Sequence, residues 1–138
     1  MGGRFGGADI YVANAGINLI QATPDVTPGD YDAQLLTNAR GTFFGVQRIL
    51  PVMRDGGAII LTSSIAARKV LDGQAVYAGS KAAIEAFARN WALELKDRRI
   101  RVNVLSPGPT AASSPASTSR STAASAWCEK GRATHGFP

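Results

Sequence analysis

Tyr77 and Lys81 stand four residues apart in the run Ala75-Val76-Tyr77-Ala78-Gly79-Ser80-Lys81, and in a helix that spacing puts both on one face. A phenol, with a reference pKa of about 10, is a poor acid or base at neutral pH. An ammonium beside it favours the phenolate and draws that value toward the working range. Ser64 closes the apolar run Ala58-Ile59-Ile60-Leu61-Thr62-Ser63-Ser64, which predicts a buried strand. A hydroxyl at the carboxyl end of that strand, facing a helix with Tyr77 and Lys81, is placed to hydrogen-bond a substrate oxygen. The trio suits a carbonyl whose oxygen exchanges a proton while its carbon gains or loses a hydride. Taken alone, Tyr-x-x-x-Lys also fits an ordinary surface pair.

The elements around the trio follow from the apolar pattern. Asp9 to Ala13 predicts a short strand, with Asn14-Ala15-Gly16 at its carboxyl end. Gly16 permits a tight exit or a backbone close to a ligand. Pro24, Pro28, Gly29 and Asp30 mark a loop, and Tyr31 to Met53 then predicts a long helix with Leu36, Phe43, Val46 and Leu50 as its apolar stripe. Asn38 falls inside that helix. Gly41 and Gly45 each cost about 1 kcal/mol there relative to Ala, a loss that close approach of another helix would offset. Asp55-Gly56-Gly57 predicts a turn into the Ser64 strand, and the loop holding Asp72-Gly73 is expected to line the substrate pocket. Tyr77 to about Lys96 predicts a second helix with the stripe Ile84, Ala88, Trp91 and Leu95. Ile100 to Leu105 predicts the next strand, stopped by Ser106-Pro107-Gly108-Pro109. Strands alternating with helices call for parallel βα units, so the expected class is α/β, with a Rossmann-type doubly wound parallel sheet. Ligands of such sheets sit beyond the carboxyl ends of the strands, where Gly16, Ser64 and Pro107-Gly108 all fall.

Asn14-Ala15-Gly16, Asn38, Ser64, Tyr77 with Lys81, and Pro107-Gly108 occur in that order between Phe5 and about Thr110. The set resembles the short-chain dehydrogenase/reductase family, in its single-domain, Asn-Ala-Gly-bearing branch. The resemblance implies an oxidoreductase acting on an alcohol/carbonyl pair with NAD or NADP. It implies that Tyr77 exchanges the proton, that Lys81 lowers its pKa and holds the nicotinamide ribose, and that Ser64 orients the substrate oxygen. Asn38 would bend its helix and hold a water that leads protons to the lysine. Asn14, Ala15 and Gly16 would lie by the adenosine side of the cofactor, with Asn14 also bracing the sheet; Pro107 and Gly108 would approach the cofactor as well. The Tyr31–Met53 and Tyr77–Lys96 helices would form the interface of a homo-oligomer.

Composition narrows the remaining classes. A chain of 138 residues is one domain, and no apolar run approaches the roughly 20 residues of a membrane span. The single cysteine, Cys128, allows no internal disulfide, which agrees with a cytoplasmic setting. A net charge of +5 invites nucleic acid as a partner, but the basic residues are dispersed. Their one cluster, Lys96 to Arg101, sits where a helix is expected to end and cations complement its dipole. Cys128 and His135 lack further ligands for a metal, and Trp127 suggests no site.

Two departures from the family qualify the expectation. Gly2 to Gly7 contains no G-x-G-x-x-G and follows no strand. The chain thus enters at what resembles the family's fourth strand, without the glycine-rich turn and helix N-terminus that receive the pyrophosphate. Only the C-terminal half of the fold is expected, with weakened cofactor binding. From Thr110 to Pro138, 17 of 29 residues are Ala, Ser or Thr and none is Leu, Ile, Val or Met, so a partial domain over 1–109 with a disordered tail is expected. The family's threonine four places after the glycine is Ala112 here, with Thr110 two places early. A non-catalytic fragment that acts only in subunit association is the competing function.

Overall fold

The structure is a computed structural model that describes residues 6–108. The expectations for Thr110, Ala112, Trp127, Cys128, His135 and the tail lie outside the described residues. Three strands, β1 (Ala8–Ala13), β2 (Met53–Thr62) and β3 (Arg101–Leu105), form a parallel sheet in the order β1-β2-β3. The β1–β2 connection carries α1 (Pro28–Gln34) and α2 (Gly41–Ile49), and the β2–β3 connection carries α3 (Ala75–Glu94). Parallel neighbours need such crossovers, and the α/β class is as the alternation implied.

Strand register decides which side chains meet the helices. Tyr11 pairs with Ile59 and Ile59 with Val102, while Ala13 pairs with Leu61 and Leu61 with Val104. These rows point the same way and pack with Val46 of α2 and Ile84, Ala88 and Trp91 of α3 in one core. The α3 stripe expected from its spacing is buried along its whole length, Leu95 included. On the opposite face Ile10, Val12 and Leu105 stay exposed, so among the described residues the helices cover one side of the sheet.

The expected Tyr31–Met53 helix differs in three ways. It starts earlier: the Thr27 hydroxyl accepts from the Asp30 N–H and donates to the Asp30 carboxylate, with Pro28 at the first helical position. Gln21 Nε2 also donates to that carboxylate, and the Gln21 and Thr27 bonds hold Asp30 below its usual value. In the middle, Leu35–Arg40 widens into a π turn. The turn shifts the phase of the apolar stripe, which leaves Leu36 exposed while Val46 is buried. At the far end a 3-10 turn, Leu50–Val52, leads into β2, so Met53 belongs to the strand.

Within the chain, Gly45 has a cause other than a neighbouring helix. A Cβ at Gly45 would collide with the Tyr11 hydroxyl, so Gly45 makes room for a β1 side chain. Gly41 is exposed, and a Cβ there would meet only the Leu36 carbonyl, at 3.4 Å. The Asp55-Gly56-Gly57 turn lies inside β2 as a bulge, where Gly56 has φ +79° and a Cβ on Gly57 would stand 2.8 Å from the Asp9 carbonyl. Within the basic cluster, one residue serves a different helix end. Arg98 reaches the Leu50 carbonyl at 3.0 Å and the Asp55 carboxylate at 2.9 Å, so it caps the segment that follows α2 rather than α3.

Candidate active site

The predicted site residues come from five segments at or near the carboxyl ends of the strands. Tyr77 and Lys81 lie in the first two turns of α3. Lys81 is 3% exposed, and its ammonium donates to the Thr62 carbonyl at 2.8 Å, at the end of β2. Burial pushes its pKa below the ordinary lysine value of 10.5. The ammonium stands 5.6 Å from the centre of the Tyr77 ring. Tyr77 is half-buried, and among the described residues its hydroxyl has no hydrogen-bond partner.

Ser64 falls just beyond β2 rather than inside it. The ladder ends one residue earlier, with the Ser63 N–H donating to the Leu105 carbonyl at 2.7 Å. Ser64 then caps the 3-10 turn Ile65–Ala67 by accepting from the Ala66 N–H at 3.2 Å. Accepting leaves its O–H to donate elsewhere, and no acceptor for it occurs among the described residues. Alternation sends the two adjacent serines to different places: Ser63 is 1% exposed, whereas Ser64 is half-buried.

Asn38 sits in the π turn and is fully buried. Its amide donates to the Ile17 carbonyl at 2.8 Å and the Ser80 hydroxyl at 2.9 Å, and its carbonyl accepts from the Ile17 N–H at 2.8 Å. A solvent-facing Asn38 is therefore excluded. Both amide donors are taken, so any water it holds must use an oxygen acceptor. Ser80 donates in turn to the Tyr77 carbonyl at 2.7 Å, which links the segment after Gly16 to the first turn of α3.

Asn14 accepts from the Thr62 hydroxyl at 2.9 Å, a brace between the ends of β1 and β2. Gly16 passes so close to the buried groups that a Cβ would lie 3.1 Å from Asn38 Oδ1 and 3.2 Å from Lys81 Nζ. The close approach expected of Gly16 is therefore toward these two side chains. Ala15 borders a shallow cavity of about 190 Å³ beside β1, with Asn14, Thr37 and Thr42. Pro107 accepts from the Ile65 N–H at 3.2 Å, and Gly108 lies against Ile65. The loop after Ser64 leans on the one after Gly16 through Gln21 N–H to the Gly73 carbonyl at 2.8 Å. An open apolar cavity of about 390 Å³ is lined by Val26, Pro28 and Tyr31 together with Ala75 and Val76 of the first turn of α3.

Several polar residues essential to this geometry went unmarked in the sequence reading: Thr62, Ser63, Ser80, Gln34 and Glu85. Gln34 is fully buried and accepts from the Leu19 N–H at 3.1 Å. The available signal was position, since each neighbours a marked residue or falls on a helix face with one. Among the described residues no group of three or more His, Cys, Asp or Glu side chains is placed to hold a metal, and no helix is long and apolar enough to cross a membrane.

Known proteins extend the comparison. The enoyl-(acyl carrier protein) reductase family model matches residues 1–135. Over 106 residues the chain is 43% identical to a hydroxynaphthalene reductase-like protein of Metarhizium brunneum, covering 76% of this chain and 40% of the relative. Versicolorin reductase 1 of Aspergillus parasiticus is 44% identical over the same length, with the same coverage. Among solved structures, the landomycin C-6 ketoreductase LanV with bound NADP and rabelomycin matches with a TM-score of 0.72 at 42% identity, over 74% of this chain and 42% of that one. The chain spans about 40% of the length of the curated relatives it matches. Such agreement in sequence and fold, over strands followed by Asn-Ala-Gly, Ser64 and Pro-Gly around a Tyr-x-x-x-Lys helix, means that the chain belongs to the short-chain dehydrogenase/reductase family.

Proposed function

We propose that these residues form the catalytic half of an NAD(P)-dependent reductase, with Tyr77 as the acid/base. The observation that carries the reading is the Tyr77 ring, 5.6 Å from the buried Lys81 ammonium, whose hydroxyl has no hydrogen-bond partner among the described residues. In reduction Tyr77 gives its proton to the substrate oxygen, and in oxidation it takes that proton back. Ser64 donates its hydroxyl hydrogen to the same oxygen and fixes its position. The Lys81 ammonium stabilises the negative charge on the phenol oxygen as the proton leaves. Asn38 supports proton resupply through an oxygen acceptor, while its amide holds the segment after Gly16.

The donor chemistry fits the nicotinamide end of a dinucleotide. Lys81 spends one of its three N–H donors on Thr62, which leaves donors for ribose hydroxyls. Asn14, Ala15, Gly16, Pro107 and Gly108 lie at strand ends, where dinucleotides run in such sheets. The nicotinamide, when bound, supplies or accepts the hydride. Relatives named for hydroxynaphthalene, versicolorin and landomycin chemistry point to a fused-ring aromatic ketone as substrate.

The 138 residues contain no G-x-G-x-x-G turn for the pyrophosphate. This chain by itself should therefore bind NADH and NADPH weakly. Calorimetric titration checks the expectation; micromolar binding would show that the phosphates are held by other groups. Subunit association through α2 and α3 is part of the proposal. It is supported by Phe44, which is 40% exposed, by Leu93, and by Leu36 in the π turn. The uncovered Ile10 and Val12 favour the second reading, a fragment that only associates. An intact proton-transfer site separates the two.

A further inference from the structure

Helix α3 carries another buried polar side chain on the face that holds Tyr77 and Lys81. Glu85 follows Lys81 by one turn and is 6% exposed, yet the proposed proton transfer has no use for it. Its Oε2 accepts from Arg68 Nε at 2.9 Å. Its Oε1 lies 3.3 Å from the Ser63 hydroxyl and 3.3 Å from the Ser106 hydroxyl. The three donors belong to three segments: the exit of β2, the exit of β3 and the stretch after Ser64. Ser63 also lies 3.3 Å from the Lys81 carbonyl. Ser63 directly precedes Ser64, and Ser106 directly precedes Pro107.

A carboxylate is a poor choice here if packing alone matters. A buried charge is costly, and an apolar residue of similar volume often holds a core at least as well. What the carboxylate supplies is several acceptor sites on one rigid support. α3 is a single helix of 20 residues, so holding Glu85 against two strand exits also fixes the rotation of Tyr77, two turns earlier. We infer that Glu85 is a positioning residue: by gathering Ser63, Ser106 and Arg68 around one carboxylate, it sets where the Ser64 hydroxyl and the Pro107-Gly108 backbone stand relative to Tyr77. The inference rests on the role proposed for Ser64 and goes beyond it, since Glu85 acts only through its neighbours.

Amide NMR spectra of the 138-residue chain test this with Glu85→Ala and Glu85→Gln. In Glu85→Ala the amides of Ser64, Ile65 and Gly108 should shift. The Ile65 amide should exchange on the order of 10-fold faster, while Tyr11 and Ile59 in the β1–β2 pair keep their resonances. Glu85→Gln keeps an oxygen acceptor for both hydroxyls, so it should return Ser64, Ile65 and Gly108 toward wild type and disturb mainly Arg68. Changes confined to α3 would overturn the inference, as would uniform loosening of the sheet or a Gln variant as disturbed as the Ala one. If Glu85→Ala does not fold, Ser106→Ala removes one donor and should still move Ile65 and Gly108; unmoved resonances there would count against the inference. These readouts report position, so they stand apart from whether Tyr77 turns out to be the acid/base.

Discussion

Tyr77→Phe should lower the rate of ketone reduction by roughly 100-fold or more, the usual scale for losing a positioned acid or base. Steady-state assays with NADPH, run on this sequence supplied with a glycine-turn dinucleotide-binding half, measure it. The substitution is clean because the phenyl ring stays and opens no cavity. The lost hydroxyl has no hydrogen-bond partner among the described residues, so unfolding free energy should stay within about 0.5 kcal/mol of wild type. A large loss of rate with unchanged stability is specific to a proton-transfer role. A variant that keeps most of its activity would make the Tyr77–Lys81 pair structural.

Lys81→Met should separate function from stability in the opposite sense. Turnover should fall by roughly 100-fold, because the charge facing the developing phenolate is gone. Stability responds through pH. Burial lowers the Lys81 pKa in the folded chain below the 10.5 of an ordinary lysine. Between those two values the unfolded chain holds a proton that the folded chain has released. Stability therefore rises with pH across that window. Below the folded value the full cost of burying the charge is present, and above the unfolded value it is gone. Urea unfolding of both proteins from pH 7 to 10.5 should show wild type gaining on Lys81→Met as pH rises. A constant difference, or one that shrinks, would mean that burial does not tax the ammonium.

Much of this geometry was legible in the residues themselves. The strand over Ala58 to Thr62 and the α3 stripe of Ile84, Ala88, Trp91 and Leu95 are periodic patterns that a core enforces, and they appear as expected. The start of α1 was legible only in part: Thr27-Pro28-Gly29-Asp30 is a capping sequence, but its proline and glycine signal a loop equally well, so the expected helix begins three residues late, at Tyr31. The form of the π turn was not legible in Leu35 to Arg40 themselves, where only the family resemblance implied a bend at Asn38. Only tertiary contacts, with Asn38 bound to Ile17 and Ser80, hold it there. Gly45 shows the same limit, since its cause is the Tyr11 hydroxyl, 34 positions earlier in the chain. Glu85 resembles a solvent-facing charge in an alanine-rich helix until the exits of β2 and β3 bring two serines to it.

Hydride delivery is the most direct measurement of the central assignment. NADPH carrying deuterium at C4 of the nicotinamide would be incubated with a fused-ring aromatic ketone and this sequence, supplied with a dinucleotide-binding half. The product would then be read by NMR and mass spectrometry. The expected result is one deuterium at the carbinol carbon, formed by the Tyr77 protein and all but lost in Tyr77→Phe. Product without deuterium at that carbon, or equal transfer by both proteins, would contradict the assignment.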